Sequence, residues 1–423
     1  MMDQPADTNP RHEDRSRGMP SASGRAGTSP GRIAELDALR GLAALAVVIF
    51  HANPAWLPMG WAAVDLFFVL SGYLITSIVM RDGDAPGFLR AFYIRRGLRT
   101  WPIYYLIIAV VIVLSPVLHR PAHWPGLPYL LTYTQGLSRA WSGSAPPFST
   151  YLGHTWTLAI EEQFYLLWPA LVLAAGRRRL ALLALACAAG SAWARGHGFA
   201  METLLARSDG LALGGWLAAI RHTSGTPARW TKGVRVALGV LGILALGMLA
   251  ARQGLGSRGL GRSPGLTVLA FNLAWLGTLD FVLTHSGHLA LRPLRWPPLR
   301  QLGQVSYGLY LYHLPILLIA VDIGRGLGLP GKLYGLKVLA ALACVPVAAL
   351  SWRFIERPLL DRKDRFAYRP MPDRAEDVTR AWWVRSILRD PRGRVAAAGQ
   401  ASFQLVRQGT KALPPGRGPA RAA

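Results

Sequence analysis

The sequence predicts an all-α polytopic membrane protein, a bundle of about ten transmembrane helices. Apolar residues make up 52% of the 423 residues and charged residues only 16%, against roughly 25% in an ordinary soluble domain. Apolar runs long enough to cross a bilayer recur along most of the chain, and the clearest, 101–118, has no charge. These observations exclude a single soluble globule.

Ten segments have the pattern of a membrane span. The weakest is 209–220, which has only eleven apolar positions after Asp209, and the even count depends on it. In order, the predicted spans are 36–51, 62–80, 101–118, 155–174, 180–194, 209–220, 234–251, 264–285, 303–322 and 333–355.

Basic residues favour the even count, because cationic loops of membrane proteins lie on the cytoplasmic side. Loop 52–60 has no basic residue, whereas the segment before the first span and the loops 81–100, 176–179, 221–235 and 286–302 are rich in arginine. All of these basic segments fall on one side if 209–220 spans. We therefore expect both termini in the cytoplasm.

The net charge of +25 is interpreted as topology and not as nucleic-acid binding, so no nucleic-acid partner is expected. Residues 1–32 are polar and rich in Pro, Ser, Gly and Arg, which predicts a disordered segment. The transmembrane domain is predicted over 33–361, and 362–423 form a basic, disordered cytoplasmic tail. The outer loop 119–154 has the composition of a structured lid or binding loop.

Ionisable residues inside spans are costly and mark functional sites by default. Arg40 and His51 are eleven residues apart in the first span, which places both on one helical face about 16 Å apart along the axis. One helix therefore offers a fixed cation near its inner end and a titratable imidazole near its outer end.

Three further ionisable groups fall inside predicted spans. Asp65 enters the second span at about the depth of His51, where a carboxylate could orient the imidazole. Glu161 is expected roughly 9–11 Å deep in the fourth span, and His313 near the middle of the ninth. Simpler interpretations remain open at this point: His51 as an interfacial residue with its ring at the membrane surface, and Arg95, Arg96 and Arg99 as positive-inside anchors.

Seven motifs make the chain resemble the membrane-bound acyltransferase 3 family. Its Arg-x10-His pair matches Arg40 and His51, and its Arg-x-x-Arg motif matches Arg96 and Arg99. The similarity covers about 33–361, with two departures: Thr157 for Ser, which is chemically mild, and Ala63 for Gly, which predicts different helix packing there. The other motif positions are Phe67, Phe68, Ser71 and Gly72 in VDLFFVLSGYLI, Trp156 and Glu161 in HTWTLAIEEQFYLLWP, His313 in VSYGLYLYHLP, and the stretches RSDGLALGG and SWRFIERPLL.

The resemblance implies a bacterial, multi-pass enzyme of the inner (plasma) membrane. Such enzymes move an acyl group, commonly acetyl, from acyl-coenzyme A to a hydroxyl of a glycan, such as lipopolysaccharide or exopolysaccharide, or of another acceptor. No bound cofactor is expected, and no metal, because no clustered ligands appear at a useful spacing. The tail is expected to be too short for the esterase-like domain that some members carry.

The residues then acquire expected roles. Arg40, Arg95, Arg96 and Arg99 would bind the phosphates of coenzyme A, because guanidinium groups match phosphate geometry and stay charged. His51 would be the general base, with Asp65 orienting it and Glu161 assisting the acceptor or the proton transfer. Two other classes stay open: a proton-coupled transporter of a small molecule or glycan precursor, and a scaffold in polysaccharide synthesis.

Overall fold

The computed structural model describes residues 33–116, 126–137, 149–222, 228–253, 264–329 and 333–366. All regular elements in these ranges are helical, which confirms the all-α prediction. The predicted segments 1–32 and most of 362–423, together with parts of loop 119–154, lie outside the described residues.

Helices occupy all ten predicted spans. Their bounds are α1 Ala34–Ala52, α2 Ala63–Asp82, α3 Phe88–Leu114, α4 Leu127–Leu131, α5 Ser149–Leu152, α6 Trp156–Gly196, α7 Leu204–Arg207, α8 Asp209–His222, α9 Ala228–Gln253, α10 Pro264–Thr284, α11 Pro297–Gln304, α12 Ser306–Gly326, α13 Tyr334–Ser351 and α14 Arg357–Asp361.

Within the described residues, five helical segments are long and apolar enough to cross a membrane by length and composition. The prediction of about ten spans, and that of cytoplasmic termini, therefore stay predictions. The charges of α1 (Glu35, Asp37 and Arg40) lower its apolar character. The five segments are Gly60–Asp82, Phe88–Leu114, Gly265–Thr284, Ser306–Gly326 and Tyr334–Asp361.

Two predicted boundaries were wrong. α3 begins at Phe88, directly after Gly87 with its positive φ of 75°, so Arg96 and Arg99 lie on the helix and not in a loop. Residues three apart on a helix share a face. The predicted loop 176–179 is a break at one residue, Gly176, whose φ of 68° and ψ of 165° interrupt α6; only glycine adopts that conformation readily.

α8 is the central helix of the bundle. All its residues from Asp209 to Ala219 are buried, and α2, α6 and α10 pack against it. At about 1.5 Å per residue it is roughly 21 Å long, shorter than the hydrocarbon core of a bilayer. Its apolar residues therefore contact protein on every side, as expected for a helix that is hydrophobic all round.

Two glycines allow α2 and α8 to approach closely. A Cβ atom at Gly72 would lie 1.8 Å from the carbonyl oxygen of Leu211, and one at Gly214 would lie 2.0 Å from that of Val69. The obstructing atoms are backbone, which cannot rotate away. Small residues at such crossings are the usual means of tight helix packing in membranes.

We expect Gly72→Ala to destabilise the protein by about 3 kcal/mol, near the upper end of overpacking costs, because the new methyl group meets backbone. The melting temperature of the purified protein in detergent measures this. Gly190→Ala is the matched control, since nothing lies within 4 Å of a Cβ at that helical glycine. A Gly72→Ala protein as stable as the control would contradict the close approach.

Candidate active site

Two adjoining cavities lie inside the bundle, and three arginines line both: Arg40, Arg96 and Arg99. The wider cavity, termed the vestibule, has a volume of about 440 Å³. The narrower one, termed the inner cavity, has about 70 Å³. Other side chains of the vestibule include Asp37, Arg81, Phe92, Arg95, Gln304 and Trp352. Those of the inner cavity include Phe67, Ser71, Thr157, Glu161, Tyr165 and Tyr310.

The shared arginines have few protein partners. Arg40 on α1 lies 3.8 Å from Asp37, with 23% of its side chain exposed. The Arg96 guanidinium lies over the Tyr165 ring, 3.7 Å from its centroid. Among the residues that the structure describes, neither Arg96 nor Arg99 forms an ion pair. Three guanidinium groups thus face cavity space, and this arrangement suits a polyanionic ligand.

Two hydroxyl groups and one carboxylate that line the inner cavity form a chain of hydrogen bonds. Tyr165 donates to Ser71 Oγ at 3.0 Å, and Ser71 donates to Glu161 Oε1 at 2.7 Å. The Ser71 proton is therefore committed to Glu161, which acts as an acceptor in this arrangement. The neighbouring Glu162 accepts a hydrogen bond from Trp101 Nε1 at 3.1 Å.

His51 lies at the far end of α1 from Arg40 and belongs to a cluster of three histidines. Its Nδ1 is 2.9 Å from the carbonyl oxygen of Val47 and 3.3 Å from Nε2 of His313. The ring centroids of His313 and His154 are 4.9 Å apart. Because a carbonyl oxygen only accepts, Nδ1 of His51 carries the proton, and Nε2 of the neutral ring keeps its lone pair.

A layer of side chains separates the inner cavity from these histidines. Tyr310 shares a hydrogen bond with Thr157 Oγ1 at 2.6 Å and donates to the carbonyl oxygen of His154 at 3.2 Å. Its ring lies 6.1 Å from that of Phe67, centroid to centroid. Neither cavity described above has His51 in its lining, so this layer of Tyr310, Thr157 and Phe67 closes the inner cavity on the histidine side.

His154 lies in the 3-10 turn Gly153–Thr155, before α6 begins. Burial lowers the pKa of its imidazole to about 3, with a further contribution from His51. The ring is therefore neutral at ordinary pH. Its Nε2 is 3.2 Å from the carbonyl oxygen of Leu311, so the proton sits on Nε2 and the ring is a hydrogen-bond donor to α12.

The predicted role of Asp65 is not supported by its position. Its carboxylate forms an ion pair with Arg207 at 2.8 Å, and the residue that contacts His51 is His313. A second buried pair joins Arg195 to Asp209 at 2.7 Å. All four side chains are at most 4% exposed. Asp65 is thus part of a buried electrostatic network that ties α2, α6, α7 and α8 together.

The remaining predicted residues have three kinds of position. Arg95 lines the vestibule but not the inner cavity. Phe68 and Trp156 flank Arg207, whose guanidinium carbon is 5.6 and 5.7 Å from their ring centroids. Gly72 serves helix packing. Within the described residues, no group of three His, Cys, Asp or Glu side chains could hold a metal ion.

Sequence reasoning missed Tyr165, Tyr310, Thr157 and His154 as site residues. Ionisable groups stand out inside spans because a charge is costly there, whereas hydroxyl groups carry no charge. A usable signal was present, since Thr157 and Tyr165 lie in the same motif as Glu161, and Tyr310 precedes His313 by three residues. On a helix that spacing places two side chains on one face.

The family model described as "Acyltransferase domain" matches residues 33–355. Among curated proteins, peptidoglycan O-acetyltransferase OatA of Listeria monocytogenes is 29% identical over 79% of this chain and 56% of its own length. Putative peptidoglycan O-acetyltransferase YrhL of Bacillus subtilis is 30% identical over 77% of this chain and 54% of its own. O-acetyltransferase OatA of Staphylococcus aureus is 28% identical over 85% of this chain and 62% of its own length.

The chain thus spans a little over half the length of the curated relatives it matches. No solved structure shows significant similarity to it.

We expect Asp65→Asn to act on stability, because removing one partner leaves the buried Arg207 without a counter-charge. Breaking such a pair costs about 3–5 kcal/mol. Melting temperatures of Asp65→Asn, Arg207→Met and the double variant form a double-mutant cycle. The double variant should lose less stability than the two single variants lose together, since it leaves no buried charge without a partner. Strictly additive losses would contradict the pairing.

Proposed function

The chain belongs to the acyltransferase domain family, and on that premise we propose that it transfers an acetyl group from acetyl-coenzyme A to a hydroxyl of a cell-envelope glycan. The observation that carries the proposal is the set of three arginines shared by the vestibule and the inner cavity. Relatives named as peptidoglycan O-acetyltransferases support a glycan acceptor, with peptidoglycan as the first candidate.

The vestibule would hold the nucleotide end of the donor. Coenzyme A is polyanionic, and Arg95, Arg96 and Arg99 line the vestibule from two adjacent turns of α3. Arg40 would contact the pyrophosphate or the start of the pantetheine arm. Guanidinium groups bind phosphate oxygens through paired hydrogen bonds and remain charged at every working pH. Because coenzyme A is found in the cytoplasm, this end of the protein would face the cytoplasm.

The thioester would reach His51 along α1. Arg40 and His51 are eleven residues apart on one continuous helix, or about 16 Å along its axis, a distance within reach of the pantetheine arm. Since Phe67 and Tyr310 lie between the inner cavity and the histidines, we propose that these two rings separate when the donor arm enters. The hydrogen bonds of Tyr310 to Thr157 and His154 would break in that movement.

His51 Nε2 would act as the general base. It takes the proton of the acceptor hydroxyl as the hydroxyl oxygen attacks the thioester carbonyl. The new oxygen–carbon bond forms while the carbon–sulfur bond breaks, and the proton passes from His51 to the departing coenzyme A thiolate. The products are an O-acetyl ester and free coenzyme A. Glu161, held by Ser71 in the inner cavity, would bind the acceptor or assist the proton transfer.

The acceptor would meet the thioester at the end of α1 that is opposite the vestibule. Five described helices have the length and composition of membrane spans, and the relatives named above are bacterial. We propose that the protein lies in the bacterial inner membrane, with the donor entering from one side and the glycan from the other. The assay is transfer of labelled acetyl from acetyl-coenzyme A to peptidoglycan fragments by protein in lipid vesicles. A transporter would move solute into the vesicles without forming an ester.

We expect His51→Ala to abolish acetyl transfer, since a positioned general base contributes about 10²–10⁴-fold in rate. Binding of coenzyme A should persist, because the vestibule lies at the other end of α1. His285→Ala, at a half-buried histidine that lines neither cavity, is the control and should be fully active. Transfer by folded His51→Ala protein at the wild-type rate would refute the general-base role.

We expect Arg96→Ala and Arg99→Ala each to weaken coenzyme A binding about ten- to a hundredfold, because each removes a charge-assisted contact of roughly 1.5–3 kcal/mol. Arg96→Lys should restore binding only in part, since an ammonium group cannot form the paired contacts. The measurement is the dissociation constant with purified protein. Arg90→Ala is the control, because Arg90 lies on the same helix, is exposed and lines neither cavity. Unchanged affinity in both alanine variants would leave these residues as topology anchors.

A further inference from the structure

His313 on α12 is fully buried, and its two ring nitrogens face different partners. Nδ1 contacts the backbone carbonyl oxygen of Tyr310, and Nε2 lies 3.3 Å from Nδ1 of His51. We propose that His313 is a positioning residue that fixes the orientation and tautomer of His51 by accepting a hydrogen bond from its Nδ1–H group. This inference rests on the proposed role of His51 as general base.

Hydrogen-bond polarity determines which nitrogens carry protons. The carbonyl oxygen of Tyr310 can only accept, so Nδ1 of His313 is protonated, and Nε2 of the neutral ring is left as an acceptor. Nδ1 of His51 donates to the carbonyl oxygen of Val47 at 2.9 Å and also faces that acceptor. Both contacts place the His51 proton on Nδ1, and the lone pair of a neutral ring on Nε2, where a general base needs it.

The contact with His313 should strengthen during the reaction. When His51 takes a proton at Nε2, the ring becomes a cation, and its Nδ1–H becomes a charge-assisted donor. His313 Nε2 is a neutral acceptor that stabilises this cation without bringing a second charge into the bundle. A carboxylate usually has this role in catalytic triads; in this chain the predicted carboxylate, Asp65, is bound to Arg207 instead.

The surroundings hold His313 in one orientation. His154 and Tyr310 pack against its ring at centroid distances of 4.9 and 5.5 Å. His154 is itself tied to α12 through the carbonyl oxygen of Leu311. Rotating the His313 ring by 180° would put carbon atoms in the places of both nitrogens, which would break the bond to Tyr310 and remove the acceptor that faces His51.

Two substitutions separate positioning from a purely structural role. The amide oxygen of glutamine can occupy the place of Nε2 and accept from His51, whereas the amide of asparagine overlaps Nδ1 and can bind only the Tyr310 carbonyl oxygen. If His313 positions His51, His313→Gln should keep kcat within about fivefold of wild type. His313→Asn should lower kcat about ten- to a hundredfold, within the range that a general base contributes. The KM for acetyl-coenzyme A should stay unchanged in both.

The experiment measures kcat and KM for wild type, His51→Ala, His313→Gln and His313→Asn in vesicles, with melting temperatures in parallel. Equal activity of the two His313 variants, or higher activity of His313→Asn, would overturn the inference. The proposed function fails on different results: no transfer by wild type, or full transfer by His51→Ala.

A measurement on the wild-type protein covers the case in which neither variant folds. Solid-state NMR of protein with ¹⁵N-labelled histidine, in lipid bilayers, reports the tautomer of each ring. Protonation of both His51 and His313 at Nδ1 is expected. Protonation of His313 at Nε2 would overturn the inference, because that nitrogen could not accept.

Discussion

A charged side chain inside a membrane protein must either have a counter-charge or face water, and this constraint sorts the arginines of the bundle. Arg195 and Arg207 are paired with Asp209 and Asp65 in the interior, at 2.7 and 2.8 Å, and hold the central helices together. The arginines that line both cavities face space large enough for a ligand. Buried pairing thus accounts for Arg195 and Arg207, whereas Arg40, whose partner Asp37 lies 3.8 Å away, and Arg96 and Arg99 line the cavities where we propose that the donor binds.

Sequence reasoning predicted the features that depend on one helix. The family and the all-helical class are confirmed, and Arg40 and His51 lie on the single helix α1, because helical periodicity and motif order are local properties. It failed where two helices must be related. Asp65 and His51 were matched by depth, but depth does not specify the direction in which a side chain points, and Asp65 points to Arg207. The position of His313 beside His51 is likewise a product of how α12 packs on α1.

The sequence also did not predict the uncharged residues of the site. Tyr310 and Thr157 close the inner cavity through their hydroxyl groups, but Tyr and Thr are common in spans and have no distinctive cost there. α8 was difficult for a related reason. A buried helix in a bundle and a short membrane span have the same apolar composition, since both avoid water, and only the surrounding helices show that its contacts are with protein.

The two buried ion pairs have a consequence for how this sequence can diverge over time. Four residues on four helices depend on one another, and any one replacement strands a charge at a cost of about 3–5 kcal/mol, a large part of the roughly 5–15 kcal/mol by which proteins are stable. Drift at Asp65 therefore has to accompany drift at Arg207, and the same holds for Asp209 and Arg195. The two residues of each pair are therefore expected to be substituted together during evolution.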